Sequence, residues 1–445
     1  LSDITSACET AEIKVIVTSN TFLKKLKARG IDIRTAFQGQ ELIYLEELVR
    51  EIPKIELGLY WLTVKLLPES FVRLLYSHHN DTDKIAAILF SSGSEGSPKG
   101  ISLTHKNIMS NIKQVAEIVN AKPDDVMMGS LPLFHAFGLT VTTLLPLIEG
   151  IPLVCQPDPT DALSTAKSIS RHGVSIMCGT SSLLRLYTQN QKIHPLLLVS
   201  LRLVVSGAEK LDDRVRQDFQ VKFGKAILEG YGTTETAPVA TCNLPDQLEP
   251  SRLKIQKGSQ LGTVGMPVPG TTCIIVDPET FEELPIGDAG MVLIGGPQVM
   301  HGYVGEPEKT KAAIKEIDGF RWYVSGDKGI IDEDGFLTII DRYSRFVKIR
   351  GEMISLAAVE RALRSVISEE VGIIAVGLPD ATRGEKIVLV SDRELDLTVI
   401  RKKMLDLGCQ ALMLPAEYQV VNSIPLLGSG KADVRRARAM AVKFQ

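Results

Sequence analysis

The sequence predicts an α/β protein: a large N-terminal domain of parallel and mixed sheets with helices, a small β-rich subdomain, and a small α+β domain at the C-terminus. Three observations predict it. Short apolar runs alternate with helix-length amphipathic stretches through the first half, most of those runs end in Gly, Ser or Thr, and from about Gly262 the texture changes to short strands punctuated by Gly and Pro.

The strand-length runs are IKVIVTS (13–19), IAAILFSS (85–92), VSIMCGT (174–180), LRLVVSGA (201–208) and KAILEGYG (225–232), with helical patterns at 106–120 and 212–223. Small-residue loops at the carboxyl ends of such strands are where open sheets bind ligands. Beyond residue 262, TCIIVD, GMVLIGG and GFLTIIDR read as strands. After DRYSRFVKIRGE, helices near 357–366 and 398–407 surround VGIIAVG and EKIVLVS, a length suited to a separate domain. The expected division is 1–343, with its β-rich part at about 262–341, and 344–445. The run LGLYWLTVKLLPESFVRLLYSHH (57–79) reads as a core helix, although Trp61, Lys65 and Arg73 among leucines also suit a helix resting on a membrane surface.

Composition narrows the function. A chain of 445 residues holds two or three domains at roughly 150 residues each. A net charge of -3 and a pI near 6.2 supply no basic field for nucleic acid. The six cysteines are scattered without a C-x-x-C pair, which argues against a disulfide framework or a zinc site and suits a reducing compartment. No secretory signal is evident after Leu1, and the apolar stretches 57–76 and 137–155 are interrupted by charges or prolines. A cytoplasmic protein is expected, with peripheral contact at the inner face of the cytoplasmic membrane as the alternative.

The stretch SSGSEGSPKG (91–100) raises the question of a ligand. Glycines let backbone amides approach closely, serines add hydroxyls and Lys99 adds one positive charge, so a phosphate chain is the natural guest. The spacing is not that of a Walker loop, and Pro98 has no amide to donate. Composition alone leaves a flexible turn equally open.

Further blocks follow in order: LPLFHAFGL (131–139), SGAEKL (206–211), EGYGTTETAP (229–238), GTVGMPVPG (262–270), YVSGDKG (323–329), DRYSRFVKIRGEMIS (341–355) and PLLGSGKADV (425–434). Together they resemble the adenylate-forming superfamily of acyl-CoA synthetases, luciferases and adenylation domains. Their wording is most similar to bacterial acyl-[acyl-carrier-protein] synthetases, the ligase region of 2-acylglycerophosphoethanolamine acyltransferase. The resemblance implies activation of a fatty acid with ATP and Mg2+, then transfer to the thiol of acyl carrier protein. A stand-alone acyl-CoA ligase and a non-catalytic acyl- or carrier-binding module are the alternatives. The basic stretch KADVRRARAMAVK (431–443) suits an acidic carrier protein or simply a solvated helix face.

By this resemblance, Ser91, Ser92, Gly93, Ser94, Gly96 and Lys99 form the phosphate loop, and Lys431 is the lysine that reaches the carboxylate and α-phosphate. Glu235 matches the magnesium ligand, and Thr233 and Thr234 offer hydroxyls to phosphate. Gly207, Ala208 and Glu209 line one face of adenine, while Tyr231, within Glu229, Gly230, Tyr231 and Gly232, covers the other. Asp327 matches the ribose-binding aspartate, Arg342 the arginine on the same nucleotide, and His135 a residue beside the acyl entrance. The resemblance also implies a mobile C-terminal domain that turns about a hinge at Ser344, where Asp or Lys is usual, and presents Lys348, Gly351 and Glu352 for thioester formation. Asp341 replaces the usual glycine before the arginine, and fewer residues precede the phosphate loop than members carry, so a shortened N-terminus is expected. Plainer uses exist for each residue: solvation for Lys431, helix capping for the TTET segment, packing for Tyr231, a turn for Asp327 and a structural role for His135. The H-x4-D spacing of His78 and Asp83, found in glycerolipid acyltransferases, is read as chance.

Overall fold

A computed structural model describes residues 2–28, 30, 33–37, 39–76, 81–91, 99–350, 352–368, 371–380, 382–426 and 432–443. It contains two compact units, one of Leu1–Lys106 with His301–Pro307, the other of Asn107–Met300 with Glu308–Gln445.

In the first unit, strands Val15–Thr18 and Glu41–Tyr44 pair in parallel. Glu46 accepts from Ser19 Oγ at 2.7 Å and from Asn20 N at 3.1 Å, supplying acceptors at the start of the helix Asn20–Ala28. A separate antiparallel sheet is built from Ile85–Ser91, Lys99–Thr104 and Gly302–Tyr303. Gly100 is closely packed there: a Cβ would stand 3.2 Å from the Phe90 ring and 3.3 Å from Val304, so those side chains would have to give slightly. The apolar run at 57–79 departs from its expected role. It forms two helices, Lys54–Leu66 and Glu69–Tyr76, broken at Pro68, and neither has a buried residue. The core-helix reading is therefore corrected: proline ends the first helix, and its leucines stay exposed.

The second unit is organised by a seven-stranded sheet. Leu228–Gly232, Leu203–Ser206, Ile176–Gly179, Met127–Gly129 and Leu153–Cys155 run parallel, and Val239–Cys242 and Met266–Pro267 extend it antiparallel. The predicted strands appear within a few residues of their expected bounds, as do the helices His105–Val119 and Asp213–Phe223. One face is covered by Ala162–His172, Ser181–Gln189 and Asp213–Phe223, which bury Ile169, Leu184, Tyr187 and Phe219. Their starts carry the capping residues expected of helices: Asp161, Thr180 and Asp212 each accept a backbone N–H with the side chain. Gly173 and Gly224 end two of them at φ 63° and 66°.

A polar seam accompanies this apolar core. Asn107 donates to Pro297 O and Val299 O at 2.8 Å each, Asn111 donates to Val239 O at 2.8 Å, and Gln114 donates to Thr271 Oγ1 at 3.3 Å. The spacing i, i+4, i+7 places all three on one helix face. Although polar, every one of these side chains is buried.

The β-rich part is an antiparallel sheet of Thr272–Val276, Gly290–Gly295, Phe320–Ile331 and Ile314–Ile317, with Leu337–Arg342 also paired to Phe320–Ile331. The last hundred residues have their own sheet, in which Ile373–Asp380 and Gly384–Ser391 are central. Alternation decides which side each residue covers. Ile373, Ala375, Ile387 and Leu389 pack under the helices Leu356–Arg364 and Leu397–Asp406, whereas Ile374, Val376, Val388 and Val390 pack under Val434–Lys443.

An ion pair with a buried carboxylate ties together the amino ends of three interior strands of the parallel sheet. Asp125, 2% exposed, accepts from Ser175 Oγ at 2.6 Å, Arg202 Nε at 2.7 Å and Lys122 N at 2.7 Å. Burial pushes its carboxyl up, but Arg202, Lys122 N–H and Ser175 hold it at about 2, below the ordinary 3.8. A carboxylate with a depressed folded-state pKa stabilises above its unfolded value and loses that contribution as pH falls. Asp125→Ala is expected to lower the unfolding free energy by about 3 kcal/mol at neutral pH. In denaturant melts, the difference from wild type should shrink between about pH 4 and pH 2; a pH-independent difference would contradict this.

Candidate active site

The parallel strands Leu203–Ser206 and Leu228–Gly232 lie side by side, with Ser206 opposite Glu229. Their carboxyl ends release the segment Gly207–Ala208–Glu209 and the segment beginning at Thr233, the expected position for a ligand crevice in an open sheet. Glycine is demanded on geometric grounds at Gly232, and Gly207 is closely packed. A Cβ on Gly232 would fall 1.8 Å from Pro238 O, and one on Gly207 would fall 3.1 Å from the Phe137 ring. Ala208 holds φ at 69°, a left-handed conformation that costs a non-glycine residue about 1 kcal/mol.

Three predicted residues meet here. Tyr231 OH donates to Asp327 Oδ2 at 2.5 Å, and Arg342 Nε donates to Asp327 Oδ1 at 3.1 Å. Asp327 is 3% exposed. Its backbone N–H donates to Ser325 Oγ at 3.0 Å, and Ser325 Oγ donates to Val292 O at 2.8 Å. Burial pushes the Asp327 carboxyl up, opposed by the guanidinium and the phenol. The adjacent Asp327 charge raises Arg342, and burial together with that charge raises Tyr231 well above the ordinary phenol range. Glu235 is close enough to disfavour ionisation of Asp327 and to favour the Arg342 cation. One carboxylate thus joins the end of the parallel sheet to the last strand of the β-rich sheet.

The neighbouring residues have mixed roles. Glu229 accepts from Leu211 N at 3.1 Å, which ties the segment after Ser206 to the next strand, and burial raises its pKa. Glu209 accepts from Ser182 N at 2.5 Å, so its carboxylate serves a helix start. Thr233 and Thr236 cap the short 3-10 turn Thr234–Thr236, with Thr233 N donating to Thr236 Oγ1 at 3.1 Å; Glu235 is buried in that turn. His135 Nδ1 accepts from Phe137 N at 3.3 Å at the entry to the π-helix Phe137–Leu144, a local structural bond. Lys348 and Glu352 occupy exposed positions on the hairpin Phe346–Ile349 and Glu352–Ser355.

In the other unit, Ser91 pairs with Lys99 across the antiparallel strands, and Lys99 Nζ lies 5.4 Å from the Tyr303 ring centroid. Ser92, Gly93, Ser94, Gly96, Gly351, Lys431 and His78 lie outside the described residues. Among the described residues, no group of three or more His, Cys, Asp or Glu forms a metal cage.

Sequence reasoning missed two participants. Ser325 carries a usable signal, since a Ser two residues before an Asp favours a side-chain turn. Asp341 was singled out only as a departure, yet its carboxylate is a tether. Oδ1 accepts from Arg342 N at 2.8 Å, and Oδ2 accepts from Ser355 Oγ at 2.5 Å and Ala357 N at 3.1 Å. It therefore supports the N-terminus of the helix Leu356–Arg364, while Ser355 caps Ala358 N at 3.0 Å. Arg345, bonded to Glu360 at 2.7 Å, adds a second link around the turn Tyr343–Arg345, which contains Ser344. A glycine at 341 has no side-chain acceptor for any of this.

The AMP-binding enzyme family model matches residues 2–304. A long-chain-fatty-acid–CoA ligase of Bacillus subtilis is 32% identical over 307 residues, 68% of this chain and 52% of that protein. A 4-coumarate–CoA ligase 2 of Solanum tuberosum is 30% identical over 378 residues, 81% of this chain and 63% of that protein. The matched chain spans about half the length of the first of these relatives. Among solved structures, ATP-bound MatB from Rhodopseudomonas palustris aligns with TM-score 0.78 at 24% identity, covering 99% of this chain and 82% of that one. The anthranilate–CoA ligase AuaEII with anthranoyl-AMP aligns with TM-score 0.76 at 21% identity, covering 100% of this chain and 81% of that one. These likenesses bear out the predicted α/β fold, with its large N-terminal and smaller C-terminal parts. The superfamily resemblance is also borne out; the relatives named here are CoA ligases rather than carrier-protein synthetases.

The Asp341 tether has a measurable consequence. Asp341→Ala is expected to cost about 1 kcal/mol, the usual scale for losing a helix-start acceptor. Hydrogen exchange of the Ala357 amide should accelerate about fivefold or more, while unchanged exchange would remove the tether.

Proposed function

Because the chain belongs to the AMP-binding enzyme family, we propose that it activates a fatty acid with ATP and passes the acyl group to a thiol. The observation that carries this reading is the engagement of Asp327. An ionised carboxylate has about four acceptor sites, so after Tyr231 and Arg342 take one each, about two remain, the number a ribose diol needs. Tyr231 then stands at the adenine side with Gly207 and Ala208 opposite, and the missing Cβ of Gly207 leaves room between the backbone and Phe137.

The first step brings anions together, so charge neutralisation and positioning dominate. A carboxylate oxygen of the fatty acid attacks the α-phosphorus, and the bond to pyrophosphate breaks. Lys431 is assigned to steady the two anions, and the 91–100 segment to hold the β- and γ-phosphates. The hard carboxylate of Glu235 fits Mg2+, which takes one or two carboxylates and completes its shell with phosphate oxygens, and the ion when bound would neutralise phosphate charge. Thr233 and Thr234 add hydroxyl donors. In the second step the thiol sulfur attacks the acyl carbon, AMP leaves, and the thiol proton passes to solvent.

Residues 344–445 are assigned to turn about Ser344 between the steps, which brings Lys348, Gly351 and Glu352 to the thioester reaction. Coenzyme A as acceptor is supported by the names of the relatives. Acyl carrier protein is the second reading, favoured by the exposed Arg436 and Arg438 on the helix Val434–Lys443, which suit an acidic partner.

Fatty-acid-dependent pyrophosphate release with ATP and Mg2+ tests the reading. Lys431→Ala should reduce release about a hundredfold or more, and whichever of coenzyme A or holo-acyl carrier protein raises turnover identifies the acceptor. ATP binding by folded protein without any release would instead favour the binding-module reading.

A further inference from the structure

The helix Lys54–Leu66 is unusual in being apolar on nearly every side while burying none of its residues. Leu57, Trp61, Val64 and Leu66 are each 60% or more exposed. A continuous apolar surface of this kind marks an interaction site.

The surface has two differently equipped sides. Thr63 Oγ1 lies 3.0 Å from Tyr76 OH, and the Tyr60 and Tyr76 rings are 5.7 Å apart, so the helix Glu69–Tyr76 covers the Tyr60/Thr63 side. The opposite side carries Lys54, Gly58, Trp61 and Lys65 at i, i+4, i+7 and i+11, a single stripe. Lys65 Nζ sits 4.5 Å from the Trp61 ring centroid. Leu57 and Val64 flank the stripe on one side, and Ile55 and Leu62 on the other. Glu56, the helix's one carboxylate, falls with Thr63 on the covered side, by the same helical spacing.

We propose that this helix docks in the plane of a phospholipid surface bearing anionic headgroups. Thirteen residues span about 20 Å, short of a hydrocarbon core of about 30 Å, so the helix lies on the surface and does not cross it. Among the described residues no helix is long and apolar enough to cross. The central leucines and valine enter the acyl boundary, the Trp61 indole takes the interfacial level, and a lysine at each end of the helix reaches phosphate. Charge separates this occupant from a second copy of the chain. A two-fold contact through the stripe would set the lysines of one copy against those of the other, whereas phosphate headgroups supply the missing anions. The proposal stands apart from the acyl-transfer reading, because docking requires neither ATP nor turnover.

The test is co-sedimentation of the full chain with phosphatidylethanolamine/phosphatidylglycerol vesicles and, in parallel, with phosphatidylcholine vesicles. Wild type should partition at least about tenfold more strongly onto the anionic vesicles. Leu57→Glu/Val64→Glu and Lys54→Glu/Lys65→Glu should each reduce that partition about tenfold, with unchanged far-ultraviolet circular dichroism. Trp61 and Trp322 are the two tryptophans, so a Trp322→Phe background gives an independent readout: Trp61 emission should shift to the blue on vesicle addition. Wild type remaining in the supernatant, or equal partition onto both vesicle types, would overturn the proposal. So would vesicle-free dimerisation that Leu57→Glu/Val64→Glu abolishes, which would assign the face to a second copy.

Discussion

A buried carboxylate must find partners, and Asp327 draws them from two sheets. Tyr231 closes the parallel strand Leu228–Gly232, and Arg342 closes the last strand of the β-rich sheet. Neither sheet holds the aspartate alone. At 3% exposure, an unpaired charge at this point would carry a penalty of several kcal/mol, so the pairing constrains how the crevice end of one sheet meets the other. The same constraint orients the phenol and leaves acceptor capacity on the carboxylate. A structural tie and a proposed nucleotide contact are then the same group.

Tight backbone packing surrounds that tie. Gly232 has Pro238 O where a side chain would begin, and Gly207 faces the Phe137 ring. Asp341 extends the arrangement by one residue from Arg342 to the helix Leu356–Arg364. Nearby, Lys210 is exposed, and desolvation followed by the Arg361 charge depresses its pKa against the pull of Glu229, Asp213 and Asp341.

Much of this was legible in the amino-acid order, for physical reasons. The strands ending at Ser206 and Gly232 announce themselves by short apolar runs followed by small residues, and the near-continuous apolar runs in VGIIAVG and EKIVLVS fit the observed sheet covered on both faces. Tyr231, Asp327 and Arg342 were named from motif blocks, although their mutual bonding depends on residues 96 positions apart and no local pattern encodes it. The polar face Asn107–Asn111–Gln114 was illegible because its partners are carbonyls and hydroxyls far along the chain. The helix Lys54–Leu66 misled in the opposite direction. Apolar composition predicts burial only when something is available to cover the surface, and among the described residues its leucines remain exposed.

The proposed role of Asp327 is to hold a ribose diol. Calorimetric titration of wild type with ATP and with 2′,3′-dideoxy-ATP tests it directly, using Asp327→Ala as the comparison. Wild type is expected to bind the dideoxy nucleotide at least about tenfold more weakly than ATP, the scale of two lost hydrogen bonds to a charged group, with little discrimination by Asp327→Ala. Equal affinity of wild type for both nucleotides would contradict it.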